Sequence, residues 1–558
     1  PGGSMKVLLP DRANWAKRLL LSSSAMLATL ILLNAMLTLQ LWLPDFTIYG
    51  LLRPTPEFLV VFLAAFLTGC TVRRWRRLLF SITLLLACAA FFFSVGEMVT
   101  RYLYSREFRP LEDLVFFPEF IRLLFTAESD ANLFAYTAVF LLAMGLVVAL
   151  LAMLLYKVSR IAGGPAGAPA AVPAALLFML LLLISPSRIA HDSPAFLRLD
   201  RYLRGRDARP EQVVTTGGQA VTDTLPLASA IPSDQSAAPA PRTLEGKPDI
   251  LLFIIESYGY TVFAKPEHWE ILQPLYRDTE DRLKEAGYHI RSNFLRSPVR
   301  GGYSWYADAT LLTGRWVGSL QEYETLLASD RPSLFSVLEA QGYQTALAAP
   351  GMLDSWPEGE NYYKFQRHFY SRDFDYQGPE FSFVPIPDQY ALRVIHDSVV
   401  GSPRDKPLFI SYLLVSSHAP FNRIPPYVPD WSSLENGSIY HRLDILTFDN
   451  NWISGREYTQ GYTAAIRYEL TVLARYLGEF LESEALVVLV GDHQPKRPVA
   501  TQDQPWSVPI HVISRNESMV RTFENHGYTR GLVPGQHPPH QGMDSFFGHL
   551  LGALEAAQ

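Results

Sequence analysis

The sequence predicts two architectures in one chain: an N-terminal five-helix transmembrane bundle, then an α/β domain with a mostly parallel central sheet. Three observations carry that expectation. Apolar stretches long enough to cross a bilayer crowd the first third of the 558 residues. A connector rich in Pro, Ala, Ser, Thr and Gly follows at about 205–247. After Pro248 the pattern turns to short apolar runs separated by amphipathic segments, as in a sheet with helices on its faces. The expected boundaries are 1–190 for the bundle, 191–247 for the linker and 248–558 for the α/β domain.

Each apolar stretch, at 19–43, 55–72, 78–99, 133–156 and 170–187, approaches the length that spans a ~30 Å hydrocarbon layer as a helix. Pro173 lies early in the fifth, but no charge interrupts Ala174–Ile184. Basic residues choose the orientation. Lys6, Arg12, Lys17 and Arg18 precede the first span, Arg73, Arg74, Arg76 and Arg77 follow the second, and Lys157 and Arg160 follow the fourth. Those ends are expected in the cytoplasm, and an odd number of spans then puts the α/β domain outside. Segment 100–132, with Arg101, Arg106, Arg109 and Arg122 among acidic and aromatic residues, reads either as an external amphipathic helix along the headgroups or as a solvated loop. Pro1–Ser4 before Met5 reads as a vector-derived remnant, so native numbering is expected to start near Met5.

Composition removes some classes of function. Net charge is a modest -6 and no long basic tract supplies a nucleic-acid footprint, so no nucleic-acid partner is expected. The two cysteines, Cys70 and Cys88, both precede the α/β domain, which must therefore fold without an internal disulfide.

In that domain Ile250–Ile255, Thr345–Ala349, Leu408–Val415 and Leu486–Val490 read as strands, and Ser333–Ala340 as a helix capped by Ser333 and closed by Gly342. Open parallel sheets gather ligands beyond the carboxyl ends of their strands. Three runs end in chemistry there: the first in Glu256, another in Gly491-Asp492-His493, and Leu408–Val415 in Ser416-Ser417-His418-Ala419-Pro420-Phe421. A carboxylate on one strand end and an Asp-His pair on another suit a divalent cation that takes oxygen and imidazole ligands. His418 is placed to hold an oxyanion or donate a proton. Taken singly, Glu256 could be an exposed turn and Gly-Asp-His an ordinary capping loop.

The nucleophile comes from a resemblance. Ser304-Trp-Tyr-Ala-Asp-Ala-Thr-Leu-Leu-Thr-Gly314 resembles the sulfatase signature, whose nucleophile precedes Leu-Leu-Thr-Gly by seven positions, which is where Ser304 stands. Leu338–Ala346, the Ser-His-Ala-Pro-Phe block and Gly-Asp-His are also similar to this sulfatase-like branch of the alkaline phosphatase superfamily, in family order over nearly all of 248–550. Sulfatases mature a Cys or Ser within Cys/Ser-x-Pro/Ala-x-Arg to formylglycine. Here Tyr306 and Asp308 occupy the last two defining positions, so that maturation is not expected. Glu256-Ser257 replaces the paired aspartates usual in sulfatases. That pair, the unmodified hydroxyl and Gly-Asp-His are similar to lipoteichoic acid synthases and phosphoethanolamine transferases, whose external catalytic domains follow five membrane helices.

The resemblance implies that Glu256, Ser304, Asp492 and His493 bind one divalent metal ion, Zn or Mn. It implies Ser304 as the nucleophile on phosphorus and His418 as substrate binder or proton donor. Trp356, in Gly351-Met-Leu-Asp-Ser-Trp356, stands where lipoteichoic acid synthases carry a His-Gly…Phe-Trp-Asn-Arg substrate motif; Pro350 replaces the His and no Asn-Arg follows, and ordinary packing is the alternative role. His537, His540 and His549 read as surface or helix positions rather than ligands. The expected activity is transfer of a phosphoethanolamine or phosphoglycerol headgroup from a membrane phospholipid donor to a cell-envelope glycan or lipid acceptor at the bacterial cytoplasmic membrane, with a polysaccharide synthase as a possible partner. Hydrolysis of a phosphate or sulfate ester on the same site is the near variant; a non-catalytic lipid-binding or regulatory membrane protein is the alternative from another class.

Overall fold

The computed structural model describes residues 12–39, 55–104, 106–115, 130–163, 247–353, 355–381, 385–448, 455–481 and 484–556. The chain divides into two compact units, Pro1–Pro210 and Glu211–Gln558.

Within the first unit, long helices run over Arg12–Leu37, Pro56–Cys70, Arg73–Tyr104 and Asp130–Ala162, where four of the five apolar stretches were expected. Thr55 starts the second by accepting a hydrogen bond from Phe58 N at 3.3 Å, with Pro56 in the first helical position. Small residues let the second and fourth approach: a Cβ on Gly69 would lie 2.2 Å from the Ser159 carbonyl oxygen, and Ser159 Oγ donates to Ala65 O at 2.9 Å. Among the described residues, two helical stretches, Arg73–Tyr102 and Leu141–Ala162, are long and apolar enough to cross a membrane; Ser24–Leu37 and Glu57–Cys70 are apolar but shorter. The stretch at 170–187 and the expected linker up to 246 lie outside the described residues. In the 100–132 segment, a short helix Pro110–Val115 follows the third long helix, fixed by ion pairs of Arg106 with Asp113 and Arg109 with Glu112.

In the second unit we label the principal strands β1 (Asp249–Ile255), β2 (His289–Arg296), β3 (Gln344–Ala349), β4 (Arg367–Tyr370), β5 (Leu408–Leu414), β6 (Ala485–Gly491) and β7 (Ser507–Ser514). Among the described residues they belong to one nine-stranded sheet, in the order Thr529–Arg530, β2, β7, β6, β1, β5, β3, β4, with Gln541–Gly542 also pairing to β2. The four sequence-predicted strands correspond to β1, β3, β5 and β6. β1, β3 and β5 run parallel with their neighbours, β6 runs parallel with β1, and β1 lies between β5 and β6. β7 pairs antiparallel with both β6 and β2, and Thr529–Arg530 antiparallel with β2, so the sheet is mixed, with five parallel pairings and three antiparallel ones. Pro509 and the polar residues of β2 hid that half from a reading based on apolar runs.

Every residue of β1 is buried, and the two faces part cleanly. Leu251, Phe253 and Ile255 enter one core, and Ile250, Leu252 and Ile254 the other. Helices α1 (Pro266–Glu285) and α2 (Arg456–Glu479) cover the first face; α3 (Ser304–Thr313) and the Leu334–Ala340 helix cover the second. The latter helix starts as expected, with Ser333 and Ser336 capping reciprocally. Register then sets the site: Ile255 pairs with Leu414 on one side and Gly491 on the other, so Glu256, Val415 and Asp492 all emerge at one level of the carboxyl edge.

Candidate active site

Glu256, Asp492 and His493 offer ligand atoms that all lie within 4.8 Å of one another, each residue buried. Ser304, at the start of α3, joins them. Its Oγ donates to Glu256 Oε2 at 3.0 Å and lies 3.3 Å from His493 Nε2. Four side chains from three distant parts of the sequence thus meet at the edge that the β1, β5 and β6 register defines.

The local backbone explains how each is aimed. Gly301 (φ 72°), Gly302 (φ 152°) and Tyr303 (φ 65°) turn the chain sharply before Ser304, which places the hydroxyl at the N-terminus of α3. That end favours negative charge. Ser257 also adopts a positive φ, 57°, which turns its N–H back to Asp492 Oδ1 at 2.7 Å. For a non-glycine residue such a conformation persists only when surrounding contacts hold it, and such residues gather at active sites. Gly491 is required by close approach: a Cβ there would stand 1.9 Å from the Tyr258 carbonyl oxygen.

The hydrogen bonds leave one ligand face open on each group. Asp492 Oδ1 accepts from Ser257 N and from His493 N, at 2.7 and 2.5 Å, leaving Oδ2 3.5 Å from His493 Nε2. His493 Nδ1 lies 3.0 Å from the Gln494 carbonyl oxygen. A carbonyl can only accept, so the ring proton belongs on Nδ1 and the Nε2 lone pair faces the pocket. Glu256 Oε1 accepts from Ser257 Oγ at 2.8 Å and lies 3.4 Å from that same Nε2. Two carboxylates, an imidazole lone pair and a hydroxyl converging in a buried space are a donor set suited to a borderline divalent cation, with the second-sphere bonds that orient metal ligands already in place. The residues therefore fit the expected ion.

Electrostatics agree with that donor set. Burial pushes the Glu256 carboxyl up, but His493 and His418, with the Ser257 hydrogen bond, outweigh it and hold the group below the usual range. Burial and the Glu256 charge raise Asp492 well above it. Burial lowers His493. Asp308, one helical turn beyond Ser304, is raised well above its ordinary value by burial and by Glu256, and its Oδ1 is buried without a hydrogen-bond partner. Three acids crowding one buried pocket is the arrangement that a cation relieves. Asp308 entered the sequence reading only as a departure from the sulfatase motif; its spacing of four from Ser304 on a helix was the signal that it shares the same face.

His418 is half-buried, and its charge acts on both Glu256 and His493. The chain brings it there through a turn in which His418 N donates to Val415 O at 3.0 Å. Trp356 is partly buried and packs against the second core, with its ring 5.5 Å from Tyr363 and against Gly359. His540 Nδ1 pairs with Ser507 Oγ at 2.7 Å and His549 stacks on His526 at 3.9 Å, in keeping with structural roles.

Residues 308–509, within the second unit, match the sulfatase family model. Trp356, His418, Asp492 and His493 fall inside that interval, while Glu256 and Ser304 precede it. No curated protein matches the sequence. Solved structures similar to the chain include the lipoteichoic acid synthase LtaP from Listeria monocytogenes, at 15% identity and TM-score 0.34, covering 55% of this chain and 72% of that one. The C-terminal periplasmic domain of EcEptC from Escherichia coli, in complex with Zn, is similar at 15% identity and TM-score 0.33, covering 53% and 89%. The Streptococcus pyogenes phosphoglycerol transferase GacH in complex with sn-glycerol-1-phosphate is similar at 11% identity and TM-score 0.34, covering 55% and 75%.

Proposed function

We propose that the protein is a metal-dependent phosphotransferase, anchored by its N-terminal helices, that uses Ser304 to move a phosphoethanolamine or phosphoglycerol headgroup from a membrane phospholipid to an external glycan or lipid. The observation that carries this reading is the meeting of Ser304 Oγ with Glu256, Asp492 and His493 at one buried point. In it, Glu256, Asp492, His493 and Ser304 hold one Zn or Mn ion, which when bound would lower the hydroxyl's pKa and offset charge on the phosphoryl oxygens. Ser304 Oγ bonds to phosphorus as the phosphorus–diacylglycerol oxygen bond breaks. The leaving alcohol takes up a proton, for which His418 is the proposed donor. An acceptor hydroxyl then attacks phospho-Ser304, restoring the serine; if water does so instead, the same site is a hydrolase. The apolar helices of the first unit and the basic residues flanking them support placing the enzyme at the cytoplasmic membrane with the second unit outside.

The test is diacylglycerol release from labelled phosphatidylethanolamine and phosphatidylglycerol by the purified chain in detergent, beside Ser304→Ala. Release from one lipid, absent in the variant, is expected and names the donor. Equal release by Ser304→Ala would refute the proposal.

A further inference from the structure

Beneath the turn that carries His418 lie two carboxyl groups that the proposed reaction does not use. Asp388 begins the Asp388–Ile395 helix, Glu469 lies in the middle of α2, and both are 0% exposed. Asp388 Oδ2 accepts from Val415 N at 2.7 Å and from Ser416 N at 2.5 Å, while Asp388 N donates to Ser416 Oγ at 2.9 Å. Its other oxygen, Oδ1, has no donor, and neither does either oxygen of Glu469. Glu469 nevertheless faces the Asp388 carboxyl and the backbone of Ser416 and Ser417. Two ionised carboxylates cannot be stable together here: both would be desolvated, and Asp388 Oδ1 and the Glu469 oxygens would face one another as acceptors with no cation between them. A single proton between them resolves the arrangement, because it turns one acceptor into a donor and removes one of the two charges.

We infer that Glu469 is held as the neutral acid, donating its proton to Asp388 Oδ1, and that this pair clamps the 415–417 turn, making both residues positioning residues for the active site. Asp388 is the member that stays ionised, because its Oδ2 already accepts two backbone N–H bonds. Burial, followed by the Asp388 charge, raises Glu469 well above the usual carboxylate range. The ionisable neighbours are the phenols of Tyr440 and Tyr468, and neither brings a positive charge. From the clamped turn two bonds lead to the site. Ser417 Oγ donates to the Glu256 carbonyl oxygen at 2.6 Å, and His418 N closes the turn on Val415 O at 3.0 Å. The aim of Glu256 and His418 therefore depends on a proton one layer below them. This second role rests on the proposed function; the protonation state does not.

The test uses the full chain in detergent with Glu469→Gln, Glu469→Ala and Asp388→Asn. A glutamine amide can replace the donor, so Glu469→Gln should keep kcat within about threefold of the parent. Glu469→Ala and Asp388→Asn should lower kcat roughly 10–100-fold, with KM and bound metal little changed, as displaced catalytic groups do. Infrared difference spectra of parent against Glu469→Gln, repeated in a Ser304→Ala background, should show a protonated carboxyl band lost on substitution. That band is independent of turnover, so it tests the shared proton even if the proposed reaction fails. Absence of the band, or a Glu469→Gln variant as impaired as Glu469→Ala, would overturn the inference.

Discussion

Replacing Glu256 with Gln keeps the side chain's size and its place after β1 but removes one negative charge from a pocket whose ligand atoms lie within 4.8 Å of one another. A pair of unit charges about 4 Å apart is worth ~4 kcal/mol at an effective permittivity near 20, hence ~8 kcal/mol against a dication. Burying a carboxylate as Glu256 is buried, at 7% exposure, takes back several kcal/mol of that. The difference, about 3–4 kcal/mol, corresponds to roughly 10²–10³-fold weaker cation binding. Ser304 Oγ also loses its charged acceptor at 3.0 Å, so turnover should fall with affinity and recover only in part at saturating metal. Equilibrium dialysis of the full chain with Zn²⁺ or Mn²⁺ reads the affinity, with Glu267→Gln, an acid 56% exposed, as control. Cation binding by Glu256→Gln within threefold of the parent would refute the assignment of this cluster as the metal site.

Other expectations follow from the same geometry. Gly491→Ala drives a Cβ into the Tyr258 carbonyl at 1.9 Å, so it should lower thermal stability and loosen metal binding together as β6 shifts Asp492; a variant unchanged in both measurements contradicts the close approach. Asp249 holds Arg404 through two bonds at 2.9 and 2.7 Å and also accepts from Leu408 N at 2.8 Å. Asp249→Asn should therefore cost ~3 kcal/mol in denaturant unfolding, since it leaves a guanidinium only 14% exposed without its counter-charge. Acid should destabilise the second unit through its buried histidines. Burial holds His268 at about 4 and His511 at about 3, against 6.5 when exposed. Between those values and about 6.5 the unfolded chain binds more protons, so their contribution is complete above about 6.5 and is lost as pH falls, by ~1.4 kcal/mol per pH unit for each group. A melting temperature flat from pH 7 to pH 5 would contradict it.

How much of this was legible beforehand depended on what each residue does. The strands β1, β3, β5 and β6 declared themselves because burial on both faces demands unbroken apolar runs. Their ends then pointed to Glu256, Asp492, His493 and His418 without any knowledge of the fold. β2 and β7 did not, because their buried polar groups are satisfied by partners remote in sequence. Arg291 pairs with Glu524, and Ser292 with His511 Nδ1 at 2.7 Å. Asp388 and Glu469 were equally silent: an acid followed by amphipathic helix reads as surface, and only the tertiary fold buries the two together. Trp356, singled out by a motif, packs against Tyr363, the alternative role that its sequence context also offered.

The most direct test of the central claim is to look for the covalent intermediate itself. Incubating the purified, metal-loaded chain with the lipid donor, quenching in acid and mapping the peptides by mass spectrometry should find a phosphoethanolamine or phosphoglycerol adduct on Ser304, absent from Ser304→Ala. Turnover with Ser304 unmodified at every time point, or an adduct on another residue, would contradict the account.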